Sequence, residues 1–182
     1  MNVSRFELEG LLLFEPKVFR DSRGFFMETW NQRRYAEAGL SVDFVQDNIS
    51  VSCLGALRGL HCQNPASQGK LASVLQGAVF DVAVDLRQSS STFGRWHGVE
   101  LSSENKKQFF VPPGFAHGFL VLSDTAMFHY KCTDFYSPKD ELTIRWDDPD
   151  IAIAWPNKTP VVSEKDARGL FLRDVPPDRL FK

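Results

Sequence analysis

The chain has 182 residues, 43% of them hydrophobic, which suits one domain over residues 1–182 with a full core and no need of a disulfide or metal staple. A net charge of -2 argues against a nucleic-acid binder, which would show a basic field. No apolar run reaches membrane-spanning length, the first residues lack the pattern of a signal peptide, and Cys53, Cys62 and Cys132, without CxxC spacing, read as reduced thiols in a cytoplasm.

Residues 11–14 and 18–19 are apolar and broken by Pro16, which predicts short edge strands. Asp21-Ser22-Arg23-Gly24 reads as a turn, and the aromatic pair Phe25-Phe26 follows it. Thr29 is the expected cap of a short helix running to Ala38, which Gly39 ends. From residue 44 the pattern is strands and turns. Residues 44–51 have extended character with an unusually polar centre, and 57–61, 71–75 and 79–86 follow as strands. In 79–86, Phe80, Val82, Val84 and Leu86 share one face, with Asp81 and Asp85 on the other. Residues 93–101 alternate less clearly, and 109–111 lead into a Pro-Pro-Gly turn. Phe115, His117, Phe119 and Val121 then share a face, as do Phe128, Tyr130 and Cys132, and residues 143–146 form a last short strand. Such spacing predicts an antiparallel sandwich or barrel. After residue 147 the chain is polar and proline-rich, and Ser163-Glu164-Lys165-Asp166 can begin a turn of helix lying against the barrel.

The stretch Leu57-Arg58-Gly59-Leu60-His61 sets a permanent cation and a proton-transfer group three residues apart. On a plain strand the two point to opposite faces, and a bulge at Gly59 would bring them onto one. Three chemistries are open to these residues. A metal site would use His61 and His117, but His61-Cys62-Gln63 lacks the further ligands that a catalytic metal needs. Metal-free proton transfer beside a ketone would use His61 as base, Tyr130 as acid and Lys70 as the cation at the enolate oxygen. From spacing alone Tyr130 reads equally as a core tyrosine and Lys70 as a solvated charge. An anion site would need Arg23, Arg58 and Lys165 to converge through the fold, with Phe26 and Tyr136 as a stacking surface.

Eight stretches in order resemble one family over roughly residues 5–170. They are Asp21 to Phe26, Phe44 to Asn48, Leu57 to His61, Gln68 to Lys70, Val79 to Arg87, Val111 to Phe119, Tyr130 to Asp134, and Leu142 to Trp146 together with Ser163 to Asp166. Together they look like dTDP-4-dehydrorhamnose 3,5-epimerase. The resemblance implies an all-β, cupin-type jelly-roll barrel with short peripheral helices, no metal and no organic cofactor. It implies a homodimer in which N-terminal strands, about residues 1–30, cross to the partner. The implied substrate is dTDP-4-dehydro-6-deoxy-D-glucose and the product dTDP-4-dehydro-L-rhamnose. His61 would be the base, Asp166 its dyad partner, Tyr130 the acid and Lys70 the enolate cation. Arg58 and Lys165 would meet the diphosphate, Arg23, Phe26, Glu28, Gln46, Asp47, Asn48 and Tyr136 the nucleotide, and His117 and Glu141 the sugar end. Two departures are small: Cys62 stands where an aromatic is frequent, and Phe135-Tyr136 replaces a commoner aromatic pair. The rival readings are an epimerase acting at C3 or C5 alone, a metal-dependent cupin oxygenase, and a non-catalytic nucleotide-sugar-binding cupin.

Overall fold

A computed structural model describes residues 1–182. In chain order the elements are β1 (Asn2–Arg5), β2 (Leu12–Glu15), β3 (Val18–Asp21), β4 (Gly24–Met27), α1 (Gln32–Glu37), β5 (Gln46–Cys53), β6 (Leu57–Gln63), β7 (Lys70–Gln76), β8 (Ala78–Asp85), β9 (Trp96–Ser102), β10 (Gln108–Val111), β11 (Phe115–Val121), β12 (Thr125–Cys132), β13 (Glu141–Thr143) and α2 (Glu164–Ala167). Two sheets form a cupin-type all-β sandwich. One has six strands in the order β1-β2-β10-β7-β12-β5, the other five in the order β13-β6-β11-β8-β9. The β3–β4 hairpin joins neither and forms a two-stranded sheet of its own.

Alternation along the strands explains the layers. Val79 and Ala83 of β8, Phe115, Phe119 and Val121 of β11, and Phe109 and Phe128 of the facing sheet meet in the core between the sheets. The other parity of β8 and β11, with Val82, Val84, Ala116 and Leu120, faces outward, where the C-terminal segment covers it with Ile151, Ile153, Trp155, Val175 and Leu180. Burying each such large side chain contributes about 1.5–3 kcal/mol. That dressing makes the five-stranded sheet apolar on both faces and tethers the chain after residue 147. Val161 bridges to Ala56 and Leu170 to Ile144, which hangs α2 across the end of the sandwich beside β6. Tyr35 and Leu40 cover part of the outer face of the six-stranded sheet, against Leu12, Phe14, Leu71 and Phe110.

Several expected boundaries shift. Asn31, not Thr29, caps α1, its side chain accepting from the Arg34 N–H at 3.2 Å. The Thr29 carbonyl instead accepts from the Tyr35 hydroxyl and the Gln108 amide. The strand at residues 12–15 is internal because β1, which shows no apolar alternation, pairs outside it. β5 and β9 start later than expected, at Gln46 and Trp96, and the last strand is Glu141–Thr143, earlier than residues 143–146.

Candidate active site

The site begins with a fault in register. His61 stands opposite His117 and Arg58 opposite Phe119, so three steps along β6 match two along β11. One extra residue in β6 makes a bulge and carries Arg58 and His61 onto the same cavity. Gly59 allows it: its φ is +132°, and a Cβ there would lie 2.6 Å from the Cα of Gly118 on β11.

The cavity has a volume of about 530 Å³, and its walls include Arg58, His61, Lys70, His117, Tyr130 and Asp166. Ser163 caps α2 by accepting the Asp166 N–H, which sets the Asp166 side chain toward β6. His61 Nε2 donates to Asp166 Oδ1 at 2.6 Å, and the Gly59 N–H donates to Oδ2 at 3.4 Å. Burial alone would raise the Asp166 carboxyl, but the hydrogen bond and charge of His61 and the Gly59 N–H outweigh it and hold the carboxyl below its usual range. With the proton on Nε2 fixed by the carboxylate, Nδ1 is the basic nitrogen.

Tyr130 and Lys70 line the same cavity as the His61–Asp166 pair. Lys70 Nζ lies 6.0 Å from the centroid of the Tyr130 ring. Lys70 is half-buried rather than a solvated surface charge, and burial lowers its ammonium below the ordinary lysine range. Burial likewise raises the Tyr130 phenol, which keeps it a proton donor. Arg58 is aimed by Ser52, whose hydroxyl accepts from Nε at 2.9 Å. His117 Nε2 donates to Asp81 Oδ1 at 2.8 Å in the core.

A second lobe of about 260 Å³ shares His61, Lys70 and Tyr130 and continues to Gln46, Asn48, Tyr136 and Glu141. One oxygen of Glu141, Oε2, accepts from Lys165 Nζ at 2.5 Å and from the Tyr136 hydroxyl at 2.9 Å. Burial pushes the Glu141 carboxyl up, and these two donors more than reverse it. Lys165 is raised in turn, the Glu141 hydrogen bond and charge overcoming its own burial. No group of three or more His, Cys, Asp and Glu side chains is placed to hold a metal. A cavity with a histidine–carboxylate dyad, a buried phenol, a desolvated ammonium and cations at its rim suits proton transfer on an anionic, carbonyl-bearing substrate.

The sequence model of the family dTDP-4-dehydrorhamnose 3,5-epimerase matches residues 5–174. The chain belongs to this family. A dTDP-4-dehydrorhamnose 3,5-epimerase of Shigella flexneri is 57% identical over 171 residues, covering 93% of this chain and 94% of the relative. That of Methanothermobacter thermautotrophicus is 53% identical over 172 residues, covering 93% of both. The crystal structure of dTDP-6-deoxy-D-glucose-3,5-epimerase from Legionella pneumophila, in complex with dTDP-4-keto-L-rhamnose, is similar with a TM-score of 0.97 at 50% identity, over 100% of this chain and 97% of that one. The enzyme is therefore an isomerase of the carbohydrate-epimerase kind.

Not every expected residue of this epimerase lines the cavity of a single chain. Asp47 lies on the outer face of the six-stranded sheet, 2.8 Å from Lys131 Nζ and 3.7 Å from His129 Nε2, because it has the opposite parity to Gln46 and Asn48. Arg23 sits at the tip of the β3–β4 hairpin against Asp21 at 2.6 Å, and Phe26 beside it is 69% exposed. Glu28 pairs with Arg34 at 3.2 Å. Sequence reasoning missed Ser52 and Asp81. Ser52 shares the parity of Gln46 and Asn48 and was findable on that ground. Asp81 announces itself as a carboxylate on the inward face of an apolar strand, which requires a buried partner. No helix is long and apolar enough to cross a membrane.

Proposed function

We propose that the enzyme inverts C3 and C5 of dTDP-4-dehydro-6-deoxy-D-glucose to give dTDP-4-dehydro-L-rhamnose, without a metal or organic cofactor. The observation that carries this reading is the His61–Asp166 pair at 2.6 Å in one cavity with Tyr130 and Lys70. His61 takes the proton from the carbon beside the C4 ketone, and Asp166 stabilises the imidazolium that forms. The enolate oxygen meets the Lys70 ammonium. Tyr130 returns a proton to the opposite face of the same carbon. Both carbons flank the one ketone, so the same pair serves each in turn. General acid–base help of this kind contributes on the order of 10²–10⁴-fold, and a positioned cation at the oxyanion a comparable factor.

Arg58 and Lys165 take the diphosphate, Gln46, Asn48 and Tyr136 part of the nucleotide, and His117 and Glu141 the sugar end. Arg23, Phe26 and Glu28 act from the partner of a homodimer. What supports this is a hairpin that belongs to neither main sheet and carries exposed Phe19, Phe25 and Phe26. Also in its favour is the outer face of β5 and β7, where Ile49, Val51 and Leu75 lie exposed. Asp47 on that same face would act at or beside the contact. Three free thiols fit a reducing cytoplasm.

The test is turnover in deuterated water, counting exchanged positions by NMR and coupling product to a reductase of the 4-keto group. Deuterium at both C3 and C5 of a product that the reductase consumes is expected. Label at one carbon alone makes the enzyme a mono-epimerase, and no exchange with tight binding makes it a nucleotide-sugar-binding protein.

A further inference from the structure

The inward face of β5 presents a hydrogen-bonding side chain at every second residue: Gln46, Asn48, Ser50 and Ser52. Three have partners within the protein. Gln46 accepts the Tyr136 N–H at 2.9 Å and donates to Asn48 Oδ1 at 3.1 Å. Asn48 donates to Cys132 Sγ, and Ser52 accepts from Arg58 Nε. Ser50 lines the main cavity, yet its Oγ is buried with no hydrogen-bond partner in the protein. Its cross-strand neighbour is Phe128, which offers a ring and no acceptor.

A buried hydroxyl without a partner is costly and calls for an explanation. Of the charged groups lining the same cavity, Asp166 already accepts from His61 and the Gly59 N–H. Arg58, Lys70 and Lys165 are donors with no acceptor atom. No acceptor in the protein reaches the Ser50 hydroxyl, and an oxyanion drawn in by these cations would supply one. Ser50 is also the next inward residue along β5 from Ser52, which holds the Arg58 guanidinium by Nε; Nη2 donates to the Val51 carbonyl at 3.5 Å, and Nη1 is left for an incoming oxyanion. Rotation between staggered χ1 wells is all that a serine needs to turn its hydroxyl toward the cavity.

We propose that Ser50 is a further specificity-determining residue, its hydroxyl donating to a non-bridging oxygen of the substrate's diphosphate beside Arg58. This rests on the reading of the cavity as a dTDP-sugar site. The track on β5 then runs unbroken: Gln46 and Asn48 at the nucleotide, Ser50 at the diphosphate, Ser52 behind the arginine.

The test is titration calorimetry of the full-length parent, Ser50→Ala and Ser50→Thr with thymidine diphosphate, and saturation-transfer NMR with thymidine. Ser50→Ala is expected to bind thymidine diphosphate on the order of tenfold more weakly, as loss of one hydrogen bond to a charged group implies. Its thymidine signal should match the parent's, and Ser50→Thr, which keeps a hydroxyl, should recover most of the diphosphate affinity. Parent-like affinity in Ser50→Ala overturns the assignment, as does an equal loss for thymidine and thymidine diphosphate. A parent that fails to bind thymidine diphosphate overturns instead the dTDP-sugar reading beneath it.

Discussion

His61 and His117 stand directly opposite one another on β6 and β11, and each gives Nε2 to a carboxylate, at 2.6 Å to Asp166 and 2.8 Å to Asp81. The groups are the same and the surroundings are not. The His61 and Asp166 side chains are 29% and 5% exposed, those of His117 and Asp81 6% and 0%. Asp166 hangs on a four-residue helix in a covering segment, whereas Asp81 is fixed in the middle of β8. Asp166 has a second donor in the Gly59 N–H, while Asp81 Oδ2 is buried with no partner in the protein. A histidine–carboxylate pair by itself therefore does not make a catalytic base. The more open pair can exchange a proton with a substrate. The His117 pair reaches the same cavity but is almost wholly buried, so it orients an imidazole, and its removal should cost stability first.

The largest expected effect is that of His61→Ala, which should stop solvent exchange at both C3 and C5. If this variant still washes out the C3 proton at near the parent rate, His61 is not the base and the contrast between the pairs collapses. Asp166→Asn comes next, with turnover lower on the order of 10²-fold and thymidine diphosphate affinity nearly intact, measured by coupled assay and calorimetry. Asp81→Asn should reverse the balance. Turnover should fall by less than in Asp166→Asn, while stability falls by about 1–3 kcal/mol in urea unfolding, as expected for a buried group left badly paired. Comparable turnover losses in the two variants would erase the distinction.

A smaller effect follows from the lowered Asp166 carboxyl. A group whose folded pKa is depressed stabilises the fold above its unfolded value and loses that contribution as pH falls through the folded one. The unfolded value here is 3.8, so the gap in urea midpoint between the parent and Asp166→Asn should close only below about pH 4. A gap that has already vanished by about pH 5 would contradict a depressed carboxyl. The smallest effect should be that of a strong chelator. Both imidazoles commit Nε2 to carboxylates, and turnover after prolonged dialysis should equal that of the untreated enzyme. Activity lost on dialysis and restored by one added metal would overturn the metal-free mechanism.

The strands were legible where one face meets the core. Phe115, Phe119 and Val121 share the face toward the sandwich, while the C-terminal cover buries the other face of β11. β1 was not legible, since Asn2–Arg5 is an edge strand held by its pairing to β2 and buries no side chain fully. Asn31 and Thr29 are both acceptable caps by type, and only the packing of Tyr35 beneath the helix chooses between them. At the site, the bulge could be anticipated from Gly59, a local cue. The partner of His117 could not, because Asp81 lies 36 residues away and is joined to it by the pairing of β8 with β11. Asp47 shows the opposite failure: it shares a motif with Gln46 and Asn48, but strand parity separates it from their lobe.

The contact between Gly59 and Gly118 makes part of this active site a property of backbone spacing. A Cβ on Gly59 would sit 2.6 Å from Gly118 Cα, and one on Gly118 would sit 2.7 Å from the Arg58 carbonyl oxygen. Neither strand can step aside without carrying a histidine with it, since His117 adjoins one glycine and His61 lies two residues from the other. In a saturation screen the two glycines should therefore tolerate substitution as poorly as His61, although neither has a functional group. An engineer reshaping this pocket for another keto sugar has latitude among the side chains proposed only to bind and none at the seam where the two strands touch.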